Sequence, residues 1–250
     1  MKLRLLLLVA SLKGIAGMNR YIVILLASAL LSAPAHATVY SAEAIDAQVV
    51  DAKTNQPLEG VIVVPHWEVE RVVPTFVPIM PFGNDPRGPF QLQIMETVTD
   101  ANGRFHFPAW GPLPVPPLAA LGDRDPHLIF FKEGYIPWSI SNGHPSTFDY
   151  SASSTRSSEL NGTMIKLKKF EGDSKAYAAQ VGKLSVPLDF ATYTRIGNCD
   201  WKRIPRMLGT VIKIKRSFRE KLIYSALPSL DSIQQVECGS AEEWLKDYLK

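Results

Sequence analysis

Short runs of strand-forming residues, separated by turns, fill the chain from Thr38 to Phe170 and limit its fold more than any other feature. In the first run, Ile45, Ala47 and Val49 alternate with polar residues, which is the period of a half-buried strand. A second run, Val61 to Val69, is rich in β-branched residues. No helical pattern interrupts the series. Repeated short strands of this kind predict an antiparallel β-sandwich.

Three later segments extend this pattern. His127 to Phe131 is a continuous apolar run, and Thr163 to Leu167 is the last predicted strand. Between them and the early strands, Thr97 to Thr99 leads into the pair Asn102-Gly103. Since both residues tolerate positive φ, this pair predicts a tight type I′ hairpin turn.

Beyond Phe170 the apolar period changes from two to about 3.6, which is typical of a helix with one buried face. Pro205 is expected in the first helical turn, where a missing N–H costs nothing. Ser240, followed by Glu243, forms a capping box that predicts a short terminal helix. We therefore divide the chain into a β-sandwich, residues 38–170, and an α-helical extension, residues 171–250. The predicted apolar stripe contains Trp201, Ile204, Leu208, Val211, Phe218 and Leu222.

The first 37 residues are typical of a secretory signal peptide. Arg20 precedes an apolar run, Tyr21 to Leu31, and Ala35-His36-Ala37 has the small-x-small pattern of a cleavage site. An eleven-residue run is too short to span a bilayer permanently, so no stable transmembrane segment is expected after cleavage. The true start is either Met1, with a long basic region, or Met18. The sequence predicts an exported protein, periplasmic or extracellular.

Cys199 and Cys238 are the two cysteines of the chain. An even number in an exported protein favours a structural disulfide, which would connect the starts of the two predicted helices. The alternatives are a thiol nucleophile or half of a metal site, but neither a Cys-x-x-Cys pair nor a histidine beyond His144 supports them.

The turns of the β region carry a family resemblance. Their order is Asp51, then Pro57-Leu58-Glu59-Gly60, then Thr99-Asp100-Ala101-Asn102-Gly103-Arg104-Phe105, then Phe131-Lys132-Glu133-Gly134-Tyr135. This order resembles the carboxypeptidase regulatory-like domain over about residues 42 to 170. The resemblance implies a transthyretin-like (prealbumin-like) β-sandwich. It also implies a non-catalytic module, since members of that family mostly accompany enzymes, receptors or surface proteins.

Two proline-rich stretches depart from that family pattern. Residues 71–95 carry five prolines around Phe76 and Phe82, and residues 108–117 surround Trp110. Prolines preset the backbone, so apolar side chains on such loops can act as preformed contacts for a partner. The alternative is that these loops pack on each other or on the helical extension.

Charge is uneven along the chain, although the total is nearly balanced. The leader contains four of the 27 basic residues and no acid, which leaves 23 bases against 24 acids and does not favour nucleic acid as a partner. From Arg195 to Lys221, nine bases face two acids. This basic segment predicts a surface for anionic lipid, a glycan or an acidic partner, or else an internal complement to the acidic sandwich.

Catalytic motifs are not evident in the sequence. His66, His106, His127 and His144 are not spaced as paired metal ligands, which leaves only a site assembled from distant histidines. His106 is expected to point away from its apolar neighbours. We expect no cofactor, no metal and no enzymatic activity. The C-terminal tail of hydroxyisourate hydrolases and the His-x-His ligand pair of intradiol dioxygenases are both missing.

Two functions from different classes follow. The first is an exported accessory protein whose sandwich and proline-rich loops contact another envelope protein. The second is a glycan- or peptidoglycan-binding module that uses exposed aromatic rings as stacking platforms. The candidate binding residues are Phe76, Phe82, Trp110, Trp67, Trp138 and Tyr135.

Overall fold

The protein is described here from a computed structural model. The structure describes residues 39–71, 90–115, 119–121, 124–143, 154–192, 199–233 and 238–250, all within one compact unit, 38–250. The predicted signal peptide and the candidate binding residues Phe76 and Phe82 lie outside the described residues.

The described part of the chain begins with a series of short strands. Their bounds are β1 Val39–Ala42, β2 Ile45–Asp51, β3 Ile62–Arg71, β4 Phe90–Ile94, β5 Thr97–Val98, β6 Arg104–Phe107, β7 Trp110–Pro114, β8 Ala119–Leu121, β9 His127–Phe131, β10 Trp138–Ser141, β11 Thr155–Arg156 and β12 Met164–Leu167.

These strands form three sheets. One has the order β10-β9-β3-β4, with β5 and β8 also paired to β3, and the other two have the orders β11-β1-β7 and β12-β2-β6. The strands form β-sheets as predicted, but the prediction that all strand pairs are antiparallel is wrong. Two pairs, β12 with β2 and β11 with β1, are parallel, because the chain returns to each edge after a long connection.

The turn at Asn102-Gly103 does not close the predicted hairpin. It passes from β5, which pairs with β3, to β6, which pairs with β2, so it connects two sheets. Gly103 has a φ of +71°, but Asn102 is not in the left-handed region that a type I′ turn requires there. Asp100 organises the turn instead, since its Oδ1 accepts from the backbone N–H groups of Asn102 and Arg104.

Helical segments follow the last strand. The α-helices are α1 Ser174–Val181, α2 Asp189–Thr192, α3 Pro205–Glu220 and α4 Ala241–Leu245, with short 3₁₀ helices at Gly182–Ser185, Asp200–Arg203 and Leu230–Ser232. Pro205 occupies the first turn of α3 as predicted. The Ser240 Oγ accepts from the Glu243 N–H at 3.3 Å, as the capping box predicted. Helices α1 and α2 are not predicted by the sequence pattern.

The six-stranded sheet is covered on both faces. On β3, Val63, Trp67 and Val69 face the interior of the sandwich, whereas Ile62 and Val64 face the helices. Strand β9 alternates in the same way. The described residues therefore form two apolar cores, which we call the sandwich core and the outer core. The outer core contains the predicted helical stripe from Trp201 to Phe218.

Leu222 is an exception to the predicted stripe. Its side chain is 96% exposed, because α3 ends at Glu220 and Leu222 lies in the turn that follows the helix. No described helix combines the length and the hydropathy that crossing a bilayer requires.

The disulfide between Cys199 and Cys238 is present, with 5.6 Å between the two Cα atoms. Cys199 precedes the 3₁₀ helix that begins at Asp200, and Cys238 lies two residues before the cap of α4. The predicted disulfide is confirmed. Its predicted position is correct for α4 only, because Cys199 precedes a short 3₁₀ helix and the long helix α3 begins at Pro205.

Candidate functional site

Two histidines from distant parts of the sequence meet on one face of the six-stranded sheet. His66 on β3 and His127 on β9 are register partners in an antiparallel pair, so their side chains point the same way. Their ring centroids are 5.2 Å apart, with 22° between the planes. Phe190 of α2 stacks on His66 at 4.2 Å. The result is a stack of three rings between the sheet and the helices.

A chain of hydrogen bonds fixes the orientation of His66. The Gln91 amide donates to the Glu68 carboxylate at 3.1 Å, which turns the amide oxygen of Gln91 toward His66 Nδ1 at 2.8 Å. Nδ1 therefore carries the proton and donates it, and Nε2 is left as an acceptor. The Glu68 N–H in turn donates to Asp125 Oδ2, whose other carboxylate oxygen lies 3.4 Å from His127 Nε2.

Burial keeps both histidines neutral. The pKa of His66 is lowered to about 3, mainly by burial and also by the neighbouring His127, while the bond to Gln91 opposes the shift. Burial also lowers the pKa of His127, where Glu68 acts in the opposite direction and Arg124 in the same one. At neutral pH the stack is therefore an uncharged, hydrogen-bonding surface.

The histidine stack lines a cleft of about 850 Å³ between the sheet and the helical layer. This volume lies within the range of about 300–1,000 Å³ that is usual for ligand sites. Strands β3, β4, β9 and β10 supply one wall, and α2 with the residues around it supplies the other. The polar lining residues are His66, Glu68, Gln91, Arg124, His127, Ser139, Ser141, Asn142, Asp189 and Asp200.

Among the described residues that line the cleft, acids outnumber bases. Glu68, Asp189 and Asp200 line it, against the single described cation Arg124. Burial raises the pKa of Asp200 to about 6, and Arg203 only partly opposes that shift. Among the described residues, no group of three histidine, cysteine or carboxylate side chains is arranged to hold a metal ion.

The four predicted binding residues that the structure describes, Trp67, Trp110, Trp138 and Tyr135, do not line this cleft. Trp67 and Trp110 are 1% and 8% exposed and pack edge to face in the sandwich core, with centroids 5.2 Å apart. Their proposed role as stacking platforms is wrong, because their strands turn both rings inward.

Two other residues of that set are half-buried. Trp138 stacks on Phe130 at 5.4 Å against the sandwich core. The Tyr135 hydroxyl donates to Asp51 Oδ2 at 3.2 Å. Both rings therefore have structural contacts in the protein itself.

The sequence contains a signal for the cleft that is independent of any spacing motif. His66 interrupts an apolar strand, and His127 begins another. A polar residue within a run of buried strand positions marks a place where the sheet faces something other than its core. Only the pairing of β3 with β9 brings the two histidines together.

The prediction for His106 is confirmed, since its side chain is exposed whereas those of Phe105 and Phe107 are buried.

No family model and no curated protein matches the chain. The resemblance to the carboxypeptidase regulatory-like domain therefore stays a prediction.

Among solved structures, an ancillary pilin from a streptococcus is 16% identical over 54% of this chain and 31% of its own, with a TM-score of 0.23. The major pilin SpaD from Corynebacterium diphtheriae is 12% identical over 51% of this chain and 30% of its own, with a TM-score of 0.26. The 3-chlorocatechol 1,2-dioxygenase from Rhodococcus opacus is 18% identical over 54% of this chain and 62% of its own, with a TM-score of 0.27. The chain thus spans about a third of each pilin. Similarity at this level defines neither a common fold nor a common activity.

Proposed function

We propose that this chain is a non-catalytic, exported binding protein that holds a basic segment of another envelope protein in the cleft beside His66. The observation that carries the proposal is the cleft itself. It is open and large enough for a few residues of an extended peptide, and carboxylates outnumber cations among its described lining residues. The signal peptide predicted at the N-terminus supplies the expected compartment.

Charge supports a basic segment as the occupant. Glu68, Asp189 and Asp200 would each gain from a lysine or arginine side chain brought into the cleft. The gain would be largest at Asp200, whose carboxylate is half-desolvated in the free protein. His66 is neutral and does not repel such a side chain, and the apolar rings of Phe90 and Phe190 would contact its aliphatic part.

The geometry around the histidines supports binding over catalysis. Nucleophilic catalysis needs a hydroxyl or thiol hydrogen-bonded to a base. Within the described residues, neither His66 nor His127 has such a bond, and both cysteines are in the disulfide. With its pKa near 3, His66 is also a poor proton acceptor at neutral pH.

Site-specific photo-crosslinking in the native host tests this proposal. Val186 lines the cleft and is 74% exposed, so p-benzoylphenylalanine placed there would contact an occupant. The matched control is Met164, which is 55% exposed on β12 and does not line the cleft. We expect one protein to be captured from position 186 and not from 164.

A charge variant makes the result specific to the cleft. Glu68→Gln combined with Asp189→Asn should reduce capture at position 186 several-fold, since two of the attracting carboxylates are removed. Capture that is equal at both positions would contradict the proposal. Adducts with glycan alone at position 186 would favour the glycan-binding alternative instead.

A further inference from the structure

Two large apolar side chains stand in solvent just after the end of α3. Leu222 is 96% exposed and Tyr224 is 88% exposed, and Ile223 between them packs against the outer core. We call residues 219–224 the α3 tip. Single exposed apolar residues are ordinary on protein surfaces, but two nearly complete exposures within three residues form a small apolar projection.

The backbone at Leu222 makes this projection unusual. Leu222 has a φ of +56°, the left-handed region that favours glycine. Its N–H donates to the Arg219 carbonyl at 3.0 Å, and the Ile223 N–H donates to the Phe218 carbonyl at 2.8 Å. This is the Schellman pattern, in which the position of Leu222 is usually glycine. A leucine here costs the folded state stability and buries almost nothing in return.

Basic side chains lie within the tip and one helical turn before it. Arg216, Arg219 and Lys221 are exposed, and no described carboxylate forms an ion pair with any of them. Glu220, an exposed acid within the tip, partly offsets these three charges. Basic residues in a last helical turn do complement the helix dipole. That effect accounts for the charges but not for the exposed Leu222 and Tyr224.

We propose that the α3 tip docks the protein on a membrane surface that contains anionic lipid. Arg216, Arg219 and Lys221 would contact lipid phosphates, and Leu222 would enter the acyl boundary. Tyr224 would lie at headgroup depth, where its ring contacts apolar groups and its hydroxyl contacts polar ones. The tip is a convex end of a helix, which suits a flat, deformable surface. The mature chain has 23 bases against 24 acids, so this local cluster and not the total charge sets the orientation.

Vesicle flotation of the exported protein tests the proposal. Mass spectrometry first identifies the N-terminus, because an uncleaved apolar leader would itself bind vesicles. The probes are vesicles of phosphatidylcholine with and without phosphatidylglycerol. We expect binding only with phosphatidylglycerol, and weaker binding as salt increases. Each of Arg216→Gln, Arg219→Gln and Lys221→Gln should weaken binding about fivefold.

Leu222→Gly is the decisive variant. Because it should be more stable than the parent protein, a loss of vesicle binding cannot be attributed to unfolding. It should raise Tm by about 2–4 °C by relieving the left-handed leucine, and weaken vesicle binding about tenfold by removing the apolar contact. Met164→Ser, which removes an exposed apolar side chain elsewhere, should leave binding unchanged. Absence of binding to phosphatidylglycerol vesicles, or binding that Leu222→Gly does not weaken, would overturn the proposal. Loss of capture at position 186 in Leu222→Gly without any vesicle binding would assign the tip to a protein partner, which also overturns it.

Discussion

Glu96 Oε1 accepts a hydrogen bond from the backbone N–H of Met207 at 2.8 Å, across 111 positions of the sequence. The other oxygen of the same carboxylate accepts from the Arg206 N–H at 3.0 Å. A residue that follows β4 thus caps the first turn of α3, where N–H groups have no partner within the helix. The contact fixes the start of the long helix against the sheet.

Glu96→Gln should therefore destabilise the fold. An amide has one acceptor oxygen in place of two, so one of the N–H groups loses its partner, and the favourable charge at the helix N-terminus is lost. We expect a loss of about 1–2 kcal/mol in the free energy of unfolding, measured by urea denaturation. Glu43→Gln, a change at an exposed position, serves as the control. Equal stability of the two variants would contradict the capping role.

Asp200 predicts a pH dependence with a definite sign. Its pKa is raised from 3.8 to about 6 in the folded protein, so the folded state binds the proton more tightly than the unfolded state does. The contribution of Asp200 to stability is therefore complete below pH 3.8 and is lost as the pH rises through about 6. Asp200→Asn should match the parent protein near pH 4 and exceed it by about 1 kcal/mol at pH 7, after allowance for solvent screening.

His66 acts in the opposite direction, which makes the comparison informative. Its lowered pKa means that stability is lost as the pH falls from 6.5 toward 3. Removing the Asp200 contribution leaves that of His66, so the stability of Asp200→Asn should rise more steeply between pH 4 and 7 than that of the parent. Unfolding in urea at four pH values measures both slopes. A difference between the two proteins that does not change with pH would refute the assignment to Asp200.

The disulfide should contribute substantially to stability. Cys199 and Cys238 are 39 residues apart, and closing a loop of that length stabilises the folded state by about 3–4 kcal/mol in the chain-entropy treatment. Cys199→Ser combined with Cys238→Ser should lose about this amount. Reduction of the parent protein should produce a similar loss, and it should leave the double variant unaffected. If reductant lowered the Tm of both proteins equally, the effect would not come from this bond.

Two glycines with similar backbone angles form a matched pair. Gly103 and Gly162 have φ values of +71° and +74°. A Cβ at Gly162 would meet nothing within 4 Å, whereas a Cβ at Gly103 would overlap the Val49 carbonyl oxygen and lie 3.0 Å from the Leu58 nitrogen. Gly162→Ala should cost about 1 kcal/mol for the left-handed backbone alone. Gly103→Ala should cost at least about 2 kcal/mol more, which thermal or urea unfolding would resolve.

Local chemistry in the sequence was sufficient for several elements. Pro205 and Ser240 each act through their own turn of helix, so their predicted positions did not depend on the rest of the fold. The alternation around His106 likewise depends only on the strand that contains it. The disulfide followed from the export signal and the count of cysteines.

Features that depend on long-range pairing were not predictable in this way. The cleft exists because β3 and β9 are neighbours, and no spacing motif records that His66 and His127 are register partners. The burial of Trp67 and Trp110 similarly depends on which face of the strand meets the opposite sheet. Asn102-Gly103 was misinterpreted because a turn between two sheets can use the same residues as a hairpin.

The two-sided burial of the six-stranded sheet has a consequence for the order in which the chain is made. Synthesis proceeds from the N-terminus, so Ile62, Val64, Ile129 and Phe131 exist long before the helices that cover them. Until residues beyond Ser174 have emerged, one complete face of the sheet has no partner and remains open to solvent. An apolar sheet face in that condition is prone to aggregation. A chaperone that shields the sandwich would therefore have its largest effect before residues 174–250 are available to cover this face.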